Sequence, residues 1–309
     1  MSSIPRPLQI GSRGSELALW QARHIASRLE VISDIVVIKT EGDVIQNISL
    51  DKVEGKGFFT KEIEAALLDK TVDLAVHSYK DMPTEGGPEG LQIVVIPERA
   101  PVRDVLFIHP DAVDDSTPLR LKKGARLGTS SLRRKAHLKT VRNDIEYVDL
   151  RGNVPTRYGK VKSRDLDAVV LAEAGVFRLG IIEKAKADGI VYQPIPLEDV
   201  CPAPAQGALA IQIRKDDDVT LAQIKHMHDE KTAACVDAER QLLARFGGGC
   251  HLPLGALCAF ENGEYYLRAL VASPDGSERI PAEATGSDIA DIVETVHAKL
   301  VERGATQYL

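Results

Sequence analysis

The sequence predicts an α/β protein: two α/β units in succession, then a smaller α+β third domain with an antiparallel three-stranded sheet. Three observations carry that expectation. Short apolar runs of strand length alternate with helical patterns through the first two thirds of the chain, which is the grammar of a mostly parallel sheet covered by helices. Pro97 and Pro101 interrupt the alternation, and it then resumes. From Thr232 onward the pattern changes to a helix, three strands divided by turn signals, and a closing helix.

The elements follow in order. Leu8–Ser12 and Ile35–Thr40 read as strands around a helix near Ser15–Leu29, where Leu17, Trp20, His24 and Ile25 share a face. Lys61–Asp69 reads as a helix, Val72–His77 as a buried strand and Leu91–Ile96 as another. In the second unit Arg126–Gly128 ends a strand, Ser131–Leu138 opens a helix, and Ile145–Leu150 and Leu166–Leu171 are strands. Pro194, Pro196, Pro202 and Pro204 punctuate the exit, and Ala208–Ile213 is one more strand. Thr232–Arg245 is helical. Pro253–Phe260, a turn at Asn262-Gly263, Tyr265–Val271, a turn at Asp275-Gly276, a third strand and a helix at Ile289–Glu302 complete the chain.

Composition narrows the function classes. At 309 residues the chain exceeds one ordinary core and needs no disulfide or metal staple. Hydrophobic residues at 44% and charged residues at 27% are those of a globular protein rather than a disordered or fibrous one. Aromatics at 5% and a net charge of −6 argue against a nucleic-acid surface, so no nucleic-acid partner is expected. Cys201, Cys235, Cys250 and Cys258 form no C-x-x-C pair, and His226, His228 and His251 lack ligand spacing, so no metal is expected. The N-terminal stretch has no apolar signal core and no window is long and apolar enough to span a bilayer. The expectation is therefore a cytoplasmic protein with free thiols and no membrane partner.

Charge is unevenly spread. Leu119–Arg164 holds 14 basic against 3 acidic residues, a balance of +11, while the remainder has 25 basic and 42 acidic, a balance of −17. A basic segment inside an acidic protein fits a local anion site or, as plainly, a solvated face. Arginines beside turns favour the site, because a guanidinium fork grips a carboxylate or phosphate in two places.

Several segments can carry chemistry. Gly11-Ser12-Arg13-Gly14-Ser15 lies between a strand and a helix, where free N–H groups face an anion, but it is neither a Walker loop nor a dinucleotide fingerprint. Gly128-Thr129-Ser130-Ser131-Leu132-Arg133-Arg134 repeats the arrangement. Two capped helices with surface arginines would read the same way. His77-Ser78-Tyr79-Lys80-Asp81 follows a strand at the end where ligands bind in open α/β sheets, so Asp81 is either half of a surface ion pair or a carboxylate that moves protons. Gly55-Lys56-Gly57 has the composition of a mobile loop, and Gly247-Gly248-Gly249-Cys250 leaves room beside a thiol that could equally be inert.

Taken in order, GSRGSELALWQA at 11, EGKGFFTKEIE at 54, DLAVHSYKDMP at 73, LGTSSLRR at 127, DLRGNVPTR at 149, AQGALAI at 205 and GGCHLPLGA at 248 closely resemble the porphobilinogen deaminase, or hydroxymethylbilane synthase, family. The resemblance implies two lobes like those of periplasmic binding proteins and a third domain carrying the cysteine. It implies boundaries at 1–100 with 205–220, 101–204 and 221–309, the first lobe being discontinuous. It implies a transferase that joins four porphobilinogen molecules head to tail, loses ammonia each time, and releases hydroxymethylbilane for haem synthesis.

The family's cofactor is a dipyrromethane held by a thioether, and the matching sulfur is Cys250. By motif match Asp81 is the catalytic carboxylate that steadies the azafulvenium cation left when ammonia departs. Lys80, Ser131, Arg133 and Arg134 match cofactor-binding positions. Arg13, Arg151, Arg157, Arg178 and Lys56 match substrate-binding ones. Each pyrrole bears an acetate and a propionate, so burying the chain requires cations. A monomer acting on one small-molecule substrate is expected.

Three positions depart from the family pattern: His251-Leu252 where Gln-Val is common, Pro155 inside the Arg151–Arg157 motif, and Ala205 where glycine is frequent. Pro155 puts the presentation of Arg157 in question. The competing expectation is a non-catalytic anion-binding protein of two closing lobes, which leaves the glycine-flanked cysteine without a purpose.

Overall fold

A computed structural model describes residues 6–40, 60–84, 87–248 and 252–309. Its strands are β1 (Leu8–Ser12), β2 (Ser33–Val37), β3 (Leu74–Ser78), β4 (Leu91–Val95), β5 (Asp104–Ile108), β6 (Arg126–Gly128), β7 (Glu146–Val148), β8 (Ala168–Ala172), β9 (Val191–Pro194), β10 (Leu209–Arg214), β11 (Leu254–Glu261), β12 (Glu264–Ala272) and β13 (Arg279–Gly286). They fall into two compact units. One is Met1–Arg99 with Ala208–Ala233, the other Ala100–Gly207 with Ala234–Leu309.

In the first unit the sheet order is β2-β1-β3-β10-β4. The strands alternate their side chains between two cores, as a strand covered on both faces must. Leu74 and Val76 join Ile10, Ile25 and Ile211 beneath the Glu16–Ala26 helix, whereas Ala75 turns to Ile63, Leu67 and Val72 beside the Lys61–Leu68 helix. Ser15 sets where the Glu16–Ala26 helix begins, because its hydroxyl accepts the Ala18 N–H.

The second unit repeats that topology in the order β7-β6-β8-β5-β9. Val105 and Phe107 face one core with Tyr158 and Val169, and Leu106 and Ile108 face the other with Leu127 and Val170. In each sheet one strand runs against its neighbours: β10 is antiparallel to β3 and β4, and β5 to β8 and β9. The sheets are therefore mixed rather than mostly parallel. Each reversed strand is the first after the chain passes from one unit to the other, so it enters its sheet from the opposite end.

The same unit holds the α+β module. β11, β12 and β13 form an antiparallel meander. One face is covered by Cys235, Ala238 and Leu242 of the Glu230–Arg245 helix and by Ile292, Val293, Val296 and Leu300 of the Ile289–Glu302 helix, residues three and four apart on each. The module is packed tightly against the remainder of the unit. A Cβ on Gly255 would lie 2.4 Å from the Cys201 carbonyl oxygen, and Ala256 donates its N–H to Pro202 O at 2.9 Å. His137 Nε2 lies 3.1 Å from both Pro253 O and Leu270 O. No described helix is long and apolar enough to cross a membrane.

Candidate functional site

The first unit presents a small cavity of about 90 Å³ at the carboxyl ends of β1 and β3, lined by Arg13, Ser15, Gln21, Thr60, His77, Ser78 and Asp81 among others. β1 ends at Ser12, so Arg13 stands at the turn into the Glu16–Ala26 helix. β3 ends at Ser78, and a single 3-10 turn, Tyr79–Asp81, follows it, bringing Asp81 into the cavity lining with Lys80 next to it in sequence. The cavity thus joins a guanidinium, a helix N-terminus and an exposed carboxylate, complementary to a ligand with an anionic arm and a positive or N–H-bearing centre. Gln21 donates to Ser78 Oγ at 2.8 Å.

Behind the rim runs a buried polar chain with both ends at that cavity. Thr60 Oγ1 donates to Glu64 Oε2 at 3.3 Å, Gln212 Nε2 to Glu64 Oε1 at 3.2 Å, and Gln212 Oε1 lies 3.1 Å from His77 Nε2. Since the amide oxygen faces the ring, His77 donates from Nε2. Burial brings its pKa down to about 4 against the opposing Gln212 hydrogen bond, so the imidazole is neutral at pH 7.

In the second unit Ser131 caps the Leu132–Lys139 helix, accepting the Arg134 N–H at 3.4 Å. Arg133 and Arg134 follow, and both are buried around Asp104. Arg133 Nη2 donates to Asp104 Oδ2 at 2.8 Å and Nη1 to Cys201 O at 2.6 Å. Arg134 Nη2 donates to Asp104 Oδ1 at 2.6 Å and Nη1 to Val170 O at 3.2 Å. Gln206 adds a bond from Nε2 to Asp104 Oδ1 at 3.0 Å. Burial alone would raise the Asp104 carboxyl, but the two guanidiniums outweigh it and hold it well below the usual carboxylate range. Two cations share one anion, which leaves the centre with a charge of about +1. Arg134 Nε is buried and has no hydrogen-bond partner among the described residues.

The remaining matched arginines occupy the same unit. Pro155 stands in the first turn of the Val154–Lys162 helix, whose N-cap is Asn153. A proline there forfeits no helical hydrogen bond, so it starts the helix rather than distorting it. Arg157, one turn on, donates from Nε to Gly152 O at 2.7 Å. Arg151 lies just ahead of that helix and is half-buried. Arg178 ends the Glu173–Arg178 helix, donates to Gly207 O at 2.8 Å, and is lowered by burial to about 10.

Arg13, Lys80 and Asp81 thus belong to the first unit, and Ser131, Arg133, Arg134, Arg151, Arg157 and Arg178 to the second. Cys250 and Lys56 lie outside the described residues. The basic segment is less free than its count implies. Beyond the pair on Asp104, Arg120 bonds Asp115, Arg164 bonds Asp111, Lys160 bonds Asp165, Lys162 bonds Asp188, and Arg142 bonds Asp144. All but Asp144 of those carboxylates lie outside Leu119–Arg164, so much of the +11 is answered from elsewhere in the chain.

Sequence reasoning missed Asp104 and gave Gln206 no role. The signal is a lone carboxylate opening the apolar run Val105–Ile108, but Pro97 and Pro101 just before it read as a break between units.

Two family models match the chain: "Porphobilinogen deaminase, dipyromethane cofactor binding domain" over residues 8–222 and "Porphobilinogen deaminase, C-terminal domain" over residues 233–302. Among curated proteins, the porphobilinogen deaminase of Syntrophomonas wolfei is 44% identical over 279 residues, covering 89% of this chain and 88% of that one. The porphobilinogen deaminase of Syntrophus aciditrophicus is 46% identical over 285 residues, covering 91% and 90%. Among solved structures, an ancestral arginine-binding protein bound to glutamine aligns with a TM-score of 0.36 at 14% identity, over 78% of this chain and 93% of that chain. With both models matching in order and identity above two fifths along nearly the full length of its relatives, the chain belongs to the porphobilinogen deaminase family.

Proposed function

We infer that the chain is a hydroxymethylbilane synthase. It joins four porphobilinogen molecules head to tail with loss of ammonia, as a transferase of tetrapyrrole and haem biosynthesis, and grows the product on a dipyrromethane bound through Cys250. The observation that carries this reading is the cofactor-domain match over residues 8–222, a span that includes both the Arg13–Asp81 cavity and the Ser131–Arg134 helix start.

The residues present suit a carboxylate-rich cofactor. Arg134 keeps a buried donor without a partner among the described residues, and the Arg133–Arg134–Asp104 centre retains net positive charge. Lys80, Ser131, Arg133 and Arg134 would hold it. When bound, the dipyrromethane supplies the pyrrole carbon that starts the chain.

The protein's own groups do the remaining work. Arg13, Arg151, Arg157, Arg178 and Lys56 take the acetate and propionate arms of incoming substrate. Asp81 stands at the cavity rim, where its carboxylate faces the positive charge that develops as ammonia leaves and accepts a pyrrole proton. The neutral His77 adds no competing positive charge there. The reading extends to a monomer in the cytoplasm with porphobilinogen as its small-molecule partner.

Intact-mass measurement tests this directly. The wild-type chain is expected to carry a dipyrromethane adduct that Cys250→Ala lacks. An unmodified wild-type chain that does not consume porphobilinogen would overturn the assignment.

A further inference from the structure

Asp104 belongs to none of the motifs that carry the family resemblance, yet it is the point at which three parts of the second unit meet. It opens β5, and its side chain is fully buried. It accepts from Arg133, from Arg134 and from Gln206, the last of which also donates to Val102 O at 2.8 Å. The two guanidiniums are spread across its two oxygens. Their Nη1 groups are fixed on Cys201 O and Val170 O, and Arg134 Nε has no partner among the described residues. Each arginine therefore has one edge tied down on the Asp104 side, and the direction of what remains is set by that carboxylate.

We propose that Asp104 is a positioning residue for the synthase reaction, holding Arg133 and Arg134 in the orientation in which they grip the carboxylate arms of the pyrrole chain. This rests on the function proposed above. It has a consequence that charge alone reverses. Removing an anion beside two cations raises the local positive charge and, by simple electrostatics, tightens a polyanionic ligand. If Asp104 works by orientation, the same change loosens that ligand, because the forks lose their alignment.

The test uses the full-length chain, wild type and with Asp104→Asn and Asp104→Glu, each checked for native folding by circular dichroism and thermal unfolding. By intact mass at matched porphobilinogen, Asp104→Asn is expected to lower the fraction of chain that takes up the covalent primer by about five-fold or more. Asp104→Glu keeps the charge but moves it by a methylene, and is expected to restore loading to about two-fold below wild type. A folded Asp104→Asn protein with unchanged or increased primer loading overturns the proposal. If Asp104→Asn does not fold, unchanged loading in Asp104→Glu overturns it. If neither folds, Asp104 is structural only and the proposal falls. A wild-type chain that is unloaded and inert instead defeats the assigned reaction, before any variant is compared.

Discussion

Glu239 accepts the backbone N–H of Ala205 at 2.7 Å with one oxygen and that of Cys258 at 2.8 Å with the other. One fully buried carboxylate on the Glu230–Arg245 helix thereby ties the segment before Gln206 to strand β11. Glu239→Gln keeps the shape but turns an amide N–H toward a backbone donor. The expected cost is about 2–3 kcal/mol of unfolding free energy, one charged hydrogen bond lost and one buried donor stranded. Urea unfolding of the variant against wild type checks it, and a change below about 0.5 kcal/mol would contradict it.

The neighbouring backbone is left-handed at two positions, one held by alanine and one by glycine. Ala205 has φ 62°, a left-handed conformation that costs a residue with a Cβ about 1 kcal/mol, and Gly207 has φ 89°. A Cβ on Gly207 would fall 2.5 Å from the Ala100 carbonyl oxygen, which is backbone and has little room to give. Gly207→Ala is therefore expected to destabilise by about 2 kcal/mol or more. Ala205→Gly, although it empties a fully buried site, is expected to be neutral within about 0.5 kcal/mol, since relief of the dihedral offsets the lost methyl and the looser unfolded chain. Thermal melts of the two variants side by side separate these outcomes.

Two buried histidines predict an acid-side loss of stability. Burial lowers His77 to about 4 and His137 to about 3, from an ordinary value of 6.5. Above pH 6.5 both states hold them neutral and their burial carries no proton penalty. As pH falls below 6.5 the unfolded chain takes up protons that the folded chain refuses, so stability drops until the folded values are passed near pH 4 and 3. Each proton contributes about 1.4 kcal/mol per pH unit within its window. Urea unfolding at pH 7, 6 and 5 is expected to show this slope, and His77→Gln with His137→Gln to flatten it.

Asp81 lines the same cavity as Arg13, exposed and on a single turn of 3-10 helix, so its substitution removes little packing. Asp81→Asn is expected to keep the covalent adduct and the wild-type melting temperature while lowering kcat by about 100-fold or more. Intact mass and single-turnover kinetics on the same preparation check both halves. Near-normal turnover removes Asp81 from the mechanism.

The arginine pair shows how far sequence reading reaches. Ser131 as a cap and Arg133-Arg134 as a charged helix start were legible, because capping is a local matter of three or four residues. That both arginines turn inward onto Asp104 was not legible. The partner lies 29 and 30 residues away and Gln206 lies 102 from it, so only the closing of the sheet brings them together. The same limit applies to strand direction. Apolar runs mark most strands, but the prolines around β5 and β9 mask them, and the antiparallel sense of β5 and β10 follows from where the chain enters each unit.

By itself, then, the sequence determined the alternation of helices and strands, the two capped turns, the three-stranded module and, through seven ordered segments, the family and its chemistry. The tertiary structure decided which of the many charges are already answered, that His77 is buried and neutral at the Asp81 cavity, and that Asp104 gathers Arg133, Arg134 and Gln206. Local periodicity and capping depend on neighbours along the chain, whereas desolvation and ion pairing depend on neighbours in space.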